Sequence, residues 1–255
     1  MTNTDYIAAT QERLKSLGVQ WNTAAEKIAL AASLGDALLA NLSDDLDAQG
    51  AASLVVSGGS TPAPVFEYMS NADLDWSNVS ITLADERWVP LTHPDSNEAL
   101  VRNTLMVNKA ADARFVSLYL ADTEPDAACR LVADNVRRMA SPFTAVVLGM
   151  GNDGHTASLF PDAPAAELNS AMDLQSLHTV SMMHPPSVEQ DRITLTRAAL
   201  LNAKNRYLHM TGNGKCQVLH DALRDMSVAQ YRAGDAPITG LVVEKPQRMS
   251  VFWSP

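Results

Sequence analysis

Cysteine is scarce in this chain of 255 residues, which holds only Cys129 and Cys216. They stand far apart, each in a segment that reads as helix. Neither a disulfide framework nor a CxxC metal or redox pair is available, so a reducing, cytoplasmic setting is expected. Basic residues are also few: Lys and Arg total 19 against 29 Asp and Glu, a formal charge of -10. That balance disfavours the wide cationic surface needed to hold a nucleic acid backbone or an anionic membrane, so neither is expected as a partner. Long apolar runs are missing too. No stretch approaches the roughly 18 to 20 apolar residues of a membrane span, and residues 1–18 lack the basic patch and apolar stretch of a signal peptide.

Several catalytic signatures are absent. No GK[ST] completes a Walker A loop, no GxSxG elbow supplies a serine nucleophile, and no HExxH is present. His93, His178, His184, His209 and His220 show no metal-ligand spacing, so neither a metal nor another cofactor is expected. What the chain does have is a core: 46% hydrophobic and 19% charged residues suffice without metal or disulfide staples. At roughly 150 residues per domain, the length fits one large α/β domain or two small ones. No Gly/Ser linker or repeat divides it, and a single domain over residues 1–255 is the expectation.

Short apolar runs alternate with helical patterns. Thr23-Ala-Ala-Glu26 has the form of a capping box, and Ile28, Ala32, Leu38, Leu39 and Leu42 follow on a stripe that predicts a first helix. Strands are predicted at 53–57, 79–84, 115–118, 144–148, 178–182, 192–196, 207–211 and 240–243. Further helices are predicted at 62–69 with Thr61 as N-cap, from 95 or 96 onward, and over 125–139 and 215–226. This βαβα order implies a mostly parallel sheet with helices on both faces. In such sheets ligands bind beyond the carboxyl ends of the strands, where this sequence puts its unusual residues.

The first such loop is Ser57-Gly-Gly-Ser-Thr-Pro62. Its glycines let backbone N-H groups approach an anion, its hydroxyls add donors, and a phosphate is the natural guest; an ordinary strand-to-helix turn is the competing reading. The second, Gly149-Met-Gly-Asn-Asp-Gly-His-Thr-Ala-Ser-Leu-Phe-Pro161, contains G-x-G-x-x-G. Pro161 leaves little room for the long helix that a dinucleotide fingerprint needs, so that reading is rejected. The loop carries Asp153 and His155 instead, a pair suited to proton transfer near neutral pH; a turn-capping role for His155 is the competing reading, and its place after a strand at the crevice edge favours function. The third, Ala84-Asp-Glu-Arg-Trp-Val-Pro90, offers Arg87 for a phosphate or an oxyanion and Asp85 for sugar hydroxyls or as a base. A surface ion pair is the competing reading, and it stays open for Glu86. Arg192 opens a strand, and Lys215 lies in a helix's first turn, an unfavourable place for a cation unless an anion shares it.

Together the SGGSTP loop, the ADERWVP segment with Asp95-Ser-Asn97, the GMGNDGHTASLFP loop and the Arg-Ile-Thr-Leu-Thr strand resemble the 6-phosphogluconolactonase family, over roughly residues 25 to 245. That family is related to glucosamine-6-phosphate isomerases/deaminases. The resemblance implies a doubly wound α/β three-layer sandwich and hydrolysis of 6-phospho-D-glucono-1,5-lactone to 6-phospho-D-gluconate in the oxidative pentose phosphate pathway, with no metal required. It further implies that Gly58, Gly59, Ser60 and Thr61 cradle the 6-phosphate, with Arg192 and Lys215 supplying charge. His155 would then be the general base, with Asp153 either orienting it or binding a sugar hydroxyl, and Arg87 would face the oxyanion or the phosphate. The partner implied is a small sugar-phosphate lactone, and the assembly a monomer or small homo-oligomer. The rivals are a glucosamine-6-phosphate isomerase/deaminase and a non-enzymatic sugar-phosphate sensor; the Asp153/His155 pair favours chemistry over sensing.

Overall fold

The computed structural model describes residues 3–224 and 235–255. Its elements run α1 (Asn3–Leu17), β1 (Gln20–Thr23), α2 (Lys27–Gln49), β2 (Ala52–Val56), α3 (Ala63–Ser70), β3 (Val79–Leu83), β4 (Asp85–Arg87) and α4 (Asn97–Thr104). They continue with β5 (Arg114–Val116), α5 (Pro125–Arg137), β6 (Phe143–Leu148), α6 (Ala165–Met172), β7 (Val180–Met183) and β8 (Arg192–Leu195). The last are α7 (Arg197–Leu201), β9 (Ala203–Thr211), α8 (Asn213–Arg224), α9 (Pro237–Val242) and β10 (Met249–Ser254).

Every residue of β2 and of β6 is buried, the pattern of strands covered on both faces. They are neighbours in a seven-stranded sheet of order β1-β10-β9-β6-β2-β3-β5, whose pairings are all parallel. Leu54 of β2 aligns with Ala145 of β6 on one side and with Ile81 of β3 on the other. From β2 the chain moves outward to β3 and β5; from β6 it moves the opposite way, to β9. The strand order therefore reverses between β2 and β6, and the loops leaving these two strands flank a crevice at that switch point. Ser57 fastens the two exits, donating from Oγ to the Val147 carbonyl at 3.1 Å and accepting from the Gly149 N-H at 3.2 Å. Helices cover the sheet in an α/β three-layer sandwich. Among them α2 buries Leu30, Leu34, Leu38 and Leu42, a stripe at four-residue spacing.

Several sequence expectations need correction. Residues 240–243 are not a strand: they belong to α9 and the turn that ends it, and α9 is buried at all six positions. A short apolar run does not distinguish a buried strand from a buried helix, and here Pro237 in the first turn sets the helical backbone. The capping box at Thr23 is not formed, because Thr23 ends β1, and α2 starts after Glu26 with no side-chain cap. Ile28 is correspondingly 78% exposed instead of lying on the buried stripe. Nor does Thr61 cap α3, since a turn intervenes and Pro62 takes the cap position. The strands expected at 178–182 and 192–196 lie outside the main sheet. As β7 and β8 they pair antiparallel with each other, and β8 pairs with β4, the ADER segment itself. The edge strand β1, the strand β10 and α1 carry no clear period in the sequence and add to the predicted elements. Residues 225 and 226, the expected end of the helix at 215–226, lie outside the described residues.

Candidate functional site

Loops at the carboxyl ends of β2, β3, β6 and β9 enclose a cleft of about 290 Å³. At β2, Gly58 is fixed by packing: a Cβ there would fall 1.8 Å from Asn97 Oδ1. Gly59 has φ +92°, a backbone conformation that side chains rarely adopt. Gly58, Gly59 and Thr61 line the cleft, whereas Ser60 is exposed and is not part of the lining.

Past β3, Asp85 and Arg87 both line the cleft. Asp85 accepts a hydrogen bond from Ser158 Oγ at 2.5 Å, and Arg87 donates to the Asp95 carbonyl. Glu86 between them is no surface ion-pair partner. It is 1% exposed and accepts the backbone N-H groups of Arg87, Asn97 and Glu98 at 2.7 to 2.8 Å, together with the Ser96 hydroxyl. Burial pushes its carboxyl above the usual range, against the pull of those N-H donors. The group thereby anchors the first turn of α4, the helix that presents Asn97 to the cleft.

The loop past β6 closes on itself. The Gly151 N-H donates to the His155 carbonyl at 2.8 Å, and Thr156 Oγ1 to that of Gly149 at 2.8 Å. Asp153 Oδ1 lies 2.6 Å from His155 Nδ1 and accepts the His155 backbone N-H at 3.1 Å. This compact pair requires Gly151, because a Cβ there would come within 2.1 Å of the ring and 2.5 Å of the carboxylate. Phe160 stacks on the imidazole at 4.2 Å and completes its seat. With Nδ1-H committed to a carboxylate, Nε2 is left as the free acceptor of a neutral ring.

Lys215, in the first turn of α8, also lines the cleft and donates to the Met150 carbonyl. Burial lowers its ammonium below the ordinary value, while Asp153 acts in the opposite sense. Arg192 differs from the sequence expectation in its place. It is 6% exposed, sits opposite Arg87 in the β4–β8 register and does not line the cleft; its Nε and Nη1 have no hydrogen-bond partner. Burial, then the neighbouring Arg87, lowers its guanidinium. The sequence assigns no role to four polar lining residues, Ser57, Asn97, His209 and Thr211. Asn97 lies within the motif of ADERWVP and Asp95-Ser-Asn97 without a chemistry of its own, and His209 has no metal-ligand spacing to mark it. Ser57 and Asn97 act through backbone contacts that no residue pattern reveals.

The family described as Glucosamine-6-phosphate isomerases/6-phosphogluconolactonase matches residues 25–253. The chain belongs to this family. Relatives within it include a 6-phosphogluconolactonase of Pseudomonas aeruginosa, 43% identical over 81% of this chain and 85% of its own length. Another, from Rhizobium meliloti, is 38% identical over 89% of this chain and 95% of its own. Among solved structures, a 6-phosphogluconolactonase from Shewanella baltica superposes with a TM-score of 0.86 at 38% identity, covering 93% of this chain and 98% of that one. All four motifs fall inside the family match, and three of them line the cleft.

Proposed function

We propose that this chain hydrolyses 6-phospho-D-glucono-1,5-lactone to 6-phospho-D-gluconate, the ring-opening step of the oxidative pentose phosphate pathway. Kinship with named 6-phosphogluconolactonases over most of the chain supports the activity. The single observation that carries the mechanism is the 2.6 Å Asp153–His155 contact inside a cleft that also holds Gly58, Gly59, Arg87 and Lys215.

His155 Nε2 takes a proton from water as the water oxygen bonds to the lactone carbonyl carbon, and Asp153 supports the resulting imidazolium. Asp153 is thus assigned to orienting His155. The tetrahedral oxyanion faces Arg87. Collapse breaks the bond to the ring oxygen, which takes the proton back from His155 and leaves as the C5 hydroxyl; the new acid then ionises. Backbone N-H groups of Gly58 and Gly59, the Thr61 hydroxyl and Lys215 receive the phosphate, and Asp85 receives a sugar hydroxyl. Arg192 adds positive potential from behind Arg87 without touching the ligand, and Ser60 takes no direct part. The whole chain, residues 1–255, works as one sugar-phosphate-binding domain. Two free thiols, Cys129 and Cys216, fit a reducing cytoplasm, and no helix among the described residues is long and apolar enough to cross a membrane.

A coupled assay with freshly generated 6-phosphogluconolactone, run beside an ammonia-release assay on glucosamine-6-phosphate, tests this reading. Lactone hydrolysis without ammonia is expected. Ammonia release without lactone hydrolysis would assign the chain to the isomerase/deaminase branch, and neither activity would leave a binding protein.

A further inference from the structure

The wall of the cleft that runs from β9 into α8 offers side-chain groups able to donate hydrogen bonds. His209 and Thr211 stand two residues apart on β9 and so project to the same side, and Lys215 follows in α8; all three line the cleft. Leu208 aligns with Leu148, the last residue of β6. His209 is therefore one residue further on, beside the exit into Gly149 and Met150, whose carbonyl holds Lys215.

His209 is 5% exposed, and its Nδ1 is shut away from solvent with no hydrogen-bond partner. Nε2 is not enclosed in that way, and since the residue lines the cleft, Nε2 is the ring nitrogen left to reach a ligand there. A neutral imidazole carries one N-H. On Nδ1 that hydrogen would be a buried donor without an acceptor, a heavier penalty than an unpaired ring lone pair, so it belongs on Nε2. Burial pushes the titration of this ring down to about 4, which keeps it neutral, with that N-H in place, across the range where the enzyme would work.

We infer that His209 contacts the substrate: its Nε2-H donates a hydrogen bond to the phosphate group beside Lys215 and so helps select phosphorylated over unphosphorylated lactones. The non-bridging oxygens of a phosphate dianion only accept, so a wall of donors suits them better than it suits sugar hydroxyls, which also donate. A neutral donor adds reach and direction next to a lysine without a second buried positive charge. The inference rests on the lactonase reading for the identity of the ligand, and on the enclosed ring for the donor itself.

Nitrogen NMR of the wild-type protein with ¹⁵N-labelled histidine reads the donor directly, with His209→Gln assigning the signal. Between pH 6 and 8 the His209 ring is expected protonated on Nε2 alone, and inorganic phosphate is expected to shift that resonance. Protonation on Nδ1, or no shift at phosphate concentrations that bind elsewhere in the cleft, overturns the inference. This readout needs no turnover, so it decides the point even if the lactonase reading fails. Kinetically, His209→Leu is expected to raise KM for 6-phosphogluconolactone about tenfold relative to KM for glucono-1,5-lactone, with kcat nearly retained. His209→Gln, which restores a donor, is expected to recover most of that loss. Equal effects on both lactones, or a loss confined to kcat, would contradict the assignment.

Discussion

Asp153 holds His155 through Nδ1 at 2.6 Å and through the backbone N-H at 3.1 Å, so one carboxylate sets both the tautomer and the angle of the ring. Asp153→Asn is expected to leave the fold intact and to lower kcat by about one to two orders of magnitude, since an amide supports imidazolium poorly; steady-state kinetics beside a melting curve would check both halves. Lys215→Ala is expected to raise KM for the phosphorylated lactone about tenfold or more and to change KM for glucono-1,5-lactone little, and equal changes on the two would remove Lys215 from the phosphate site. Residues of this kind were legible in the sequence because their chemistry and their punctuation coincide: Asp153 and His155 lie between glycines and a proline, and Arg87 and Lys215 lie at element ends. Glu86, Asn97 and His209 were not, because what each does is set by burial and by backbone brought from elsewhere in the chain. Arg192 was legible as a cation but not as a buried one, since the β4–β8 pairing that encloses it joins segments a hundred residues apart.

Among the elements, α9 directly supports the loop that carries Asp153 and His155. The Ile238 N-H donates to the Gly154 carbonyl at 3.1 Å, and a Cβ on Gly154 would fall 2.5 Å from the Ala236 Cβ. Arg206, wholly buried, pins the far end of α9 by donating to the carbonyls of Leu241, Glu244 and Lys245. Gly154→Ala combines that clash with φ +79° and is expected to cost about 1 to 3 kcal/mol of stability and to lower kcat by displacing His155. Urea unfolding and turnover of the same preparation would show the two losses together; a fully active and stable variant would refute the coupling. The strands β2, β3 and β6 and the helices α4 and α5 could be read from apolar runs and caps. Segment 237–242 could not, since six buried residues satisfy a strand and a helix equally until Pro237 is seen to start a turn. The strand β1 escaped notice because Gln20–Thr23 is exposed or half-exposed throughout.

On the scale of the whole molecule, a formal charge of -10 coexists with a cleft lined by Arg87 and Lys215. The excess negative charge disfavours extended polyanions, while Arg87 and Lys215 still form a local cationic site at the strand switch point, of the kind a small phosphate requires. Acid sensitivity follows from His209. Its titration lies near 4 when folded against about 6.5 unfolded, so below pH 6.5 the unfolded chain binds a proton that the folded chain refuses. Stability therefore falls as pH drops from about 6.5 to about 4, by up to about 3 kcal/mol from this residue. Denaturant unfolding at pH 7.5 and pH 5 should show a smaller acid loss in His209→Gln than in the wild type, and identical losses would contradict it. The measurement that bears most directly on the central claim is turnover of 6-phosphogluconolactone by His155→Ala, corrected for spontaneous hydrolysis and set beside calorimetric binding of 6-phosphogluconate. A fall in kcat of about 10² to 10⁴ with product affinity kept within about threefold is the result expected of a general base. Turnover equal to the wild type would contradict it.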